Sequence, residues 1–338
     1  MRLFRHCTNL PDSARGAAVA IGNFDGLHRG HQAVIGEAIA RARRQGGPSA
    51  LLTFEPHPRR FFKPDTPPFL LTRLRTKARV VAELGVDLFF VLRFDADLAR
   101  LSAETFIDRV LIHGLDARHA VVGYDFVFGR NRHGSPELLR QNMRSAGRDA
   151  TIMPPVTAPA AIKDPDSDPE GDIVSSTGVR DALRAGDPAA AAHLLGRPFE
   201  IETRVIRGER RGRTLNYPTA NQPLGDYIHP AFGVYAVRAG FDAAGAMRWH
   251  DGVANLGVRP MYGAAEPLLE THLFDFSGDL YGRILRVQLA SYIRPEARFD
   301  SAAALIAQMD ADSHAARAAL SRRAAKPIVR PWLESSQT

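Results

Sequence analysis

The sequence predicts an α/β protein with two domains, the first built on a parallel sheet and the second a small antiparallel β-barrel with a terminal helix. Up to about residue 155, apolar runs alternate with helical patterns, which is typical of a parallel sheet covered by helices. After about residue 197, short alternating runs are punctuated by Gly, Pro and Asn, which favours a barrel or sandwich. The length of 338 residues also suits two domains. We place their boundaries at 1–186 and 187–330.

The first half contains the alternating strand and helix patterns of a parallel sheet. Apolar runs predict strands at residues 17–22, 49–54, 87–92 and 119–123, with 150–154 as a further candidate. Helical spacing predicts helices at about 32–45, 73–85, 102–113 and 136–146. Ligands bind at the carboxyl ends of such strands. The candidate site segments are therefore residues 22–31, 55–60 and 124–133.

The second half begins after a segment that is poor in apolar residues. Residues 164–172 are acidic, which predicts a surface loop. Ser and Thr residues before Val179 are good N-caps and predict a helix over 179–185. Further along the chain, the pattern predicts strands at 199–204, 233–238, 249–256, 268–274 and 284–289. A final helix is predicted at 301–320.

Composition and charge limit the classes of function. The single cysteine, Cys7, excludes an intramolecular disulfide, and no apolar run reaches the ~18 residues of a membrane span. The first twelve residues have no apolar core of a signal peptide, so we expect a cytoplasmic protein. The net charge of +7 suits anionic small substrates. Basic residues are not interleaved with aromatics, so we do not expect a nucleic-acid partner, and an oligomer is possible.

The most informative motif lies where the first strand turns into the first helix. Residues 22–31 read GNFDGLHRGH, so His28 and His31 share one helix face. A lone His-x-x-His also occurs as surface polar residues or as half of a metal site. The strand before, the helix after and the glycines between them favour phosphate binding at a helix N-terminus. The motif resembles the signature of the nucleotidyltransferase superfamily, which implies a Rossmann-like fold and contacts between both histidines and a triphosphate.

A second candidate phosphate contact lies at residues 174–180, which read VSSTGVR. One interpretation is a plain helix cap. Nucleotidyltransferases carry a comparable Ser-Ser-Thr-x-x-Arg late in the domain, and that resemblance favours phosphate contacts from Ser176, Thr177 and Arg180.

The chemistry of the second half is concentrated at residues 208–221, GERRGRTLNYPTAN. Gly208 and Gly212 let the backbone approach a polyanion, although a basic hairpin loop is an alternative interpretation. Thr219 and Asn221 offer oxygen atoms of the kind that Mg²⁺ prefers. Glu270 lies within a predicted strand between large apolar residues, where a carboxylate is paired, ligating or catalytic unless it faces outwards.

These motifs resemble the riboflavin kinase family in order and spacing. With the first half included, residues 17–320 resemble the prokaryotic bifunctional riboflavin kinase/FMN adenylyltransferase (FAD synthetase) family. Three positions depart from the family pattern, namely Asn216, Met261 and Gly178. The segments that carry the resemblance besides those quoted are 53–58, 123–129, 233–237, 252–260, 270–276, 279–282 and 293–299.

The resemblance implies two reactions. In the second domain, Glu270 acts as general base on the 5′-hydroxyl of riboflavin, which attacks the γ-phosphate of ATP to give FMN, with Mg²⁺ held by Thr219 and Asn221. In the first domain, FMN attacks the α-phosphate of a second ATP to give FAD, with His28, His31 and Arg180 stabilising the phosphates. The implied ATP contacts are Gly22, Asn23, Phe24, Asp25, Gly30, Ser176, Thr177, Gly208, Gly212 and Arg213, and the implied flavin contacts are Asp125, Arg259 and Arg298.

Three alternatives stay open from the sequence. The first domain could be a scaffold without activity, although its intact histidine pair argues against this. It could instead adenylylate another acceptor, such as phosphopantetheine or a pyridine mononucleotide. The chain could also be a flavin-responsive regulator that binds nucleic acid through its basic surface, which strongly salt-dependent binding would reveal.

Overall fold

The computed structural model describes residues 1–157, 173–208, 217–261 and 264–322, with the backbone alone at 259–261, 264 and 265. The predicted acidic loop, Gly212, Arg213 and Asn216 lie outside the described residues. The chain forms two compact units. The first comprises Met1–Pro67 and Thr72–Ser175, and the second comprises Pro68–Leu71 and the described residues from Ser176 onward. The boundary that the sequence places between residues 186 and 187 stays a prediction.

The first unit is built on a parallel sheet with the strand order β1-β4-β3-β2-β5-β6. Its strands are β1 (Arg2–Phe4), β2 (Ala18–Ile21), β3 (Ser49–Glu55), β4 (Leu88–Arg93), β5 (His119–Gly123) and β6 (Asp149–Met153). Its α-helices are α1 (Arg29–Gln45), α2 (Pro58–Phe62), α3 (Leu74–Glu83), α4 (Ala96–Arg100), α5 (Ala103–Phe106) and α6 (Pro136–Ser145).

Successive strand residues point to opposite faces of this sheet, and each face carries its own core. Leu51 and Phe89 pack with Ile35 of α1 and Val80 of α3 on one face. On the other face, strand side chains pack with α5, α6 and the segment that follows α5. The predicted parallel sheet with helices on both faces is confirmed.

Two features of the first unit differ from the sequence prediction. The predicted helix at 102–113 is a short α-helix that continues as a π-helix over Ile107–Gly114. Apolar spacing does not distinguish the two, because one wider turn hardly changes which residues face the core. The sequence analysis also missed β1, because a three-residue edge strand with two exposed residues carries no apolar run.

The second unit is an antiparallel sheet with the strand order β7-β12-β9-β10-β11-β8. Its helices are α7 (Ser176–Arg184), α8 (Pro188–Leu195) and α9 (Ala302–Ser321). Its strands are β7 (Phe199–Arg204), β8 (Ala220–Pro223), β9 (Gly233–Ala243), β10 (Ala246–Met261), β11 (Ala264–Leu273) and β12 (Ile284–Arg294).

The sheet curls until its two edges meet. Ile206, just beyond β7, pairs with Asn221 of β8 through a backbone hydrogen bond of 2.9 Å. The interior holds fully buried side chains such as Tyr235, Leu256 and Val287. Helix α9 packs Ala316 and Leu320 on the outside, against residues of β9 and β10. The predicted antiparallel barrel with a terminal helix is therefore confirmed.

Two local details of the second unit correct the sequence prediction. Helix α7 begins at Ser176 rather than at 179, so Ser176 and Thr177 lie in its first turn instead of preceding it. Strand β8 was not predicted, because four residues ending in proline give too short a pattern. Along the described ranges, no helix combines the length and the apolar character needed to cross a bilayer.

Candidate functional site

The first candidate site is the turn between β2 and α1, where His28 is the N-cap of the helix. Nδ1 of His28 accepts a hydrogen bond from the backbone N–H of His31 at 3.3 Å. In the neutral ring, an accepting Nδ1 leaves the proton on Nε2. Nε2 is therefore the nitrogen of His28 that can donate to a ligand oxygen.

The two imidazole rings stack at the start of α1. Their centroids are 3.7 Å apart with an angle of 21° between the planes, and His28 is buried. Gly30 gives the ring room, because a Cβ there would lie 3.2 Å from Cε1 and Nδ1 of His28. The rings of His31 and the buried Phe24 make an edge-to-face contact, with 5.2 Å between their centroids. The two histidines therefore lie side by side at the start of the helix, as the predicted shared face requires.

Buried polar contacts hold the rest of this turn. Oδ1 of Asp25 accepts from the backbone N–H of Thr72 at 3.0 Å, and the hydroxyl of Thr72 accepts from the N–H of Gly26 at 3.0 Å. The carbonyl oxygen of Asn23 accepts from Nζ of the buried Lys77 at 2.9 Å. Asp25 is 3 % exposed, so these contacts point to a role in shaping the turn.

The backbone of the turn is strained. Phe24 and Leu27 have φ values of 49° and 50°, although bulky residues avoid the left-handed region. Such conformations cost about 1–2 kcal/mol per residue and collect at functional sites. Both side chains are buried, so their packing offsets the strain.

The neighbouring strand ends provide further candidate groups. Because β2 lies between β3 and β5, the segments after all three strands leave the same edge of the sheet. Asp125 follows β5 and is exposed. Phe62 of α2 is 64 % exposed and packs against Phe61 and Phe94, with ring centroids 5.2 and 5.6 Å away. The sequence analysis missed Phe62, although two consecutive phenylalanines after a strand end were a visible signal.

The Ser176, Thr177 and Arg180 group lies on α7 of the second unit. Nε of Arg180 donates to the carbonyl oxygen of Phe69 at 2.9 Å, and its guanidinium lies over the Phe69 ring. Within the first unit, the carbonyl oxygen of Val174 lies 3.4 Å from where a Cβ on Gly30 would stand. Contacts between the α7 residues and ATP phosphates stay a prediction.

The second candidate site is a row of polar residues across three strands of the barrel. Glu270 of β11 is the register partner of Asn221 on β8 and of Asn255 on β10. Side chains directly opposite in an antiparallel pair have Cβ atoms about 4.5–5.5 Å apart. The predicted base and one predicted metal ligand are therefore neighbours, although they are 49 positions apart in the sequence.

Two glycines give this row space. A Cβ on Gly208 would overlap the side-chain amide of Asn221, and a Cβ on Gly257 would overlap the carboxylate of Glu296. Nδ2 of Asn255 lies 3.5 Å from Oε1 of Glu296. The sequence analysis assigned no role to Asn255 and Glu296, whose proximity depends on the register of β10 and the path of the chain after β12.

A cavity of about 200 Å³ opens beside the row. Thr219 borders it together with Pro218, and the loop after β11 closes its other side. The hydroxyl oxygen of Thr271 is fully buried at this cavity and has no hydrogen-bond partner among the described residues. A bound molecule with a polar atom at that depth would satisfy it.

The donors at this site fit a magnesium ion. Thr219 is half-buried and Asn221 is buried, and both present uncharged oxygen atoms. Mg²⁺ keeps several waters and shares its coordination between few protein groups and substrate phosphates. No cluster of three or more His, Cys, Asp or Glu side chains that could hold a metal occurs in the described part of the chain.

The remaining predicted contacts are dispersed. Arg298 is exposed in the segment after β12, and Arg259 lies on β10 opposite Glu266. Asn23 is exposed and Gly22 is half-buried at the end of β2. The structure therefore brings together two groups, one around His28 and His31 and one around Asn221 and Glu270.

Family profiles match both halves of the chain. The profile of the family described as FAD synthetase matches residues 10–162, and that of riboflavin kinase matches residues 195–320. A solved structure described as the macrolide-efflux protein from Streptococcus pneumoniae superposes with a TM-score of 0.78 at 29% identity. The superposition covers 94% of this chain and 98% of that one.

Whole-length relatives extend these matches. The bifunctional riboflavin kinase/FMN adenylyltransferase of Pseudomonas fluorescens is 43% identical, and that of Escherichia coli K12 is 40% identical, each over 94% of this chain and 97% of the relative. The Bacillus subtilis protein with the same description is 35% identical over 89% of this chain and 91% of its own length. With both candidate sites present in matching halves, the chain belongs to the bifunctional riboflavin kinase/FMN adenylyltransferase family of flavin-cofactor enzymes.

Proposed function

We propose that this chain phosphorylates riboflavin to FMN with one ATP and adenylylates FMN with a second ATP to give FAD and pyrophosphate. The observation that carries the proposal is the placement of Glu270 directly opposite Asn221. This pairing sets a carboxylate base beside an oxygen donor. The chain neighbours of these two residues, Ala220 and Thr271, line a cavity with room for part of a nucleotide. Family membership supports both activities.

In the kinase reaction, Glu270 takes the proton from the 5′-hydroxyl of the ribityl chain. The hydroxyl oxygen then attacks the γ-phosphorus of ATP, and ADP leaves. We assign the cavity beside Thr219 to ATP, because it adjoins the row that holds Glu270. Gly208 lets the backbone pass close to the phosphates, where a side chain would collide with Asn221.

Thr219 and Asn221 are the residues proposed to hold Mg²⁺ in the kinase site. When bound, the ion offsets the charge that develops on the phosphate oxygens. Asn221 is held for this task by its neighbours, because its backbone carbonyl accepts from Ile206 and its side chain packs on Gly208.

In the adenylylation reaction, the phosphate of FMN is already anionic and needs no base. Its oxygen attacks the α-phosphorus of ATP, and pyrophosphate leaves. Nε2 of His28 donates to a phosphate oxygen, and His31 adds a second imidazole at the N-terminus of α1. Arg180 is proposed as a further contact to the ATP phosphates. Catalysis here is positioning and electrostatic stabilisation.

The flavin of the first domain is proposed to lie at the carboxyl edge of the sheet. The exposed ring of Phe62 offers a surface for stacking, and Asp125 offers an acceptor for a flavin N–H or a ribose hydroxyl. In the second domain, Arg259 and Arg298 are the proposed flavin contacts. The proposal implies small-molecule partners in the cytoplasm, where ATP is available, and needs no nucleic acid.

An incubation of the purified chain with riboflavin, ATP and Mg²⁺, with flavins separated over time, tests both activities. We expect FMN to appear first and FAD to follow. A second incubation that starts from FMN isolates adenylylation from the kinase step. FMN as the final product would contradict the proposed activity of the first domain, and unchanged riboflavin would contradict the kinase.

A further inference from the structure

The segment before Thr219 is tied to the C-terminal helix. Tyr217 precedes the Pro218-Thr219 pair, and its hydroxyl donates to Oδ1 of Asp310 on α9. The two residues are 93 positions apart in the sequence. This hydrogen bond therefore joins helix α9 to the segment that enters β8.

The same segment is held from the opposite side by β11. The ring of Tyr217 packs against the imidazole of His272, with centroids 4.9 Å apart. Nδ1 of His272 lies 2.9 Å from the carbonyl oxygen of Pro218 and is the donor of that hydrogen bond. His272 lies two residues from Glu270 on β11, so both side chains are on one face of the strand.

Helix α9 is itself firmly fixed, so it can serve as an anchor. Arg294 of β12 makes two hydrogen bonds of 2.8 and 2.7 Å with the buried carboxylate of Asp312. Near the end of the helix, Arg317 pairs with Asp275 and lies 4.1 Å above the ring of Phe274. These contacts fix the helix two residues after Asp310 and again about two turns after it.

We infer that Tyr217 is a positioning residue for the kinase reaction, with Asp310 as its anchor. The pair holds the short segment that delivers Thr219 and Asn221 to ATP. This role rests on the proposed function of Thr219 and Asn221 in the kinase site. The sequence offers little hint of it, because Asp310 lies on an exposed helix face like many other acidic residues.

The test compares Tyr217→Phe, Asp310→Ala and the double variant in the full chain. Each single change removes the hydrogen bond between these two side chains and leaves the ring of residue 217 or the helix in place. We expect the kinase KM for ATP and for Mg²⁺ to rise about threefold to tenfold in each single variant, with little further rise in the double variant. FMN adenylylation should not change.

Tyr292→Phe is the matched control, because it removes a tyrosine hydroxyl that donates to the carbonyl oxygen of Phe232 in the same unit. We expect its kinase KM values to match those of the unchanged chain. Unchanged KM values in both single variants would overturn the inference. Additive effects in the double variant would also overturn it, as would a parallel loss of adenylylation, which would indicate general destabilisation.

A separate Thr219→Ala variant distinguishes this inference from the proposed function on which it rests. A weakened Mg²⁺ dependence in Thr219→Ala with normal kinetics in Tyr217→Phe would overturn the positioning role alone. Normal Mg²⁺ dependence in Thr219→Ala with a raised ATP KM in Tyr217→Phe would overturn the metal assignment and support the positioning role.

Discussion

The two candidate sites are held in different ways. At the first, a strained turn with Phe24 and Leu27 in left-handed conformations is fixed by buried contacts from Asp25 and Lys77. At the second, Glu270 and Asn221 lie on regular strands, and their proximity comes from strand register. The first site is thus preorganised locally, whereas the second depends on long-range pairing.

This difference determines how mutations should act. A change in the first site is expected to affect the ligand contact and the local fold together, because His28 is the helix cap and is also the residue proposed to donate to a phosphate. A change in the second site can alter the ligand contact without disturbing the fold. The barrel core lies on the opposite face of the strands that carry Asn221 and Glu270.

The largest expected effect is that of Glu270→Gln on the kinase. Loss of a general base typically costs about 10²–10⁴ in rate. The amide keeps the shape of the side chain, and Glu270 is half-buried rather than part of the core, so we expect FMN formation to fall by that factor and the melting temperature to stay unchanged. Initial rates with riboflavin or with FMN as substrate measure the two activities separately.

Glu137→Gln on an exposed position of α6 is the control for the same chemical change. We expect both activities to survive in this variant. If Glu270→Gln phosphorylated riboflavin at the normal rate, the carboxylate would not be the base, and the row across β8, β11 and β10 would be structural.

A smaller loss is expected when the histidine pair is removed. His28→Ala and His31→Ala should each lower FAD formation from FMN by about 10²–10³, the usual cost of one stabilising donor. FMN formation from riboflavin should be unaffected. His113→Ala is the control, because His113 is exposed and contacts only Asp108 in the described ion pairs.

The double role of His28 calls for a second variant. His28→Ala also removes a helix cap, which costs about 0.5–2 kcal/mol. His28→Asn keeps a capping oxygen without an imidazole. Recovery of FAD synthesis in His28→Asn would show that capping alone explains the defect and would contradict the phosphate role.

The second site should also be sensitive to a single methyl group. In Gly208→Ala, the new Cβ would overlap the side-chain amide of Asn221, so one of them must move. Overpacking typically costs about 1–3 kcal/mol, and about 1.4 kcal/mol corresponds to tenfold in affinity. We expect the kinase KM for ATP to rise about tenfold while adenylylation stays normal. An unchanged KM would indicate that Asn221 can shift without losing its function.

The sequence predicted the architecture well because periodicity and motif order carry it. The strands around His28 appear as apolar runs, and Glu270 appears as a carboxylate inside a strand pattern. Strand register cannot be read in this way, since it depends on pairing between distant segments. For that reason the contacts of Asn255 with Glu296 and of Tyr217 with Asp310 became visible only in the fold.

The smallest expected effect is on the pH dependence of the stability of the first unit. The residue concerned, His119, lies at the opposite end of the sheet from the turn that carries His28 and His31. His119 begins β5, is 1 % exposed, and its Nε2 lies 2.8 Å from the hydroxyl of Thr151. Burial lowers the pKa of His119 from 6.5, and nearby Arg41 lowers it further, while Asp149 and Glu37 oppose the shift. The unfolded chain therefore binds a proton more readily than the folded chain.

This difference in proton binding determines whether folding stability rises or falls with pH. The contribution of His119 to stability is fully present above about pH 6.5 and decreases as the pH falls below that value. His119→Gln removes the titration while keeping a side chain that can hydrogen-bond to Thr151. Between pH 7 and pH 5, the melting temperature of the unchanged chain should therefore fall more than that of the variant. Parallel melting curves would mean that this buried histidine does not couple protonation to folding. At pH 7 the rate of FAD synthesis should be the same in both, because His119 lies at the amino end of β5 and the histidine turn follows the carboxyl end of β2.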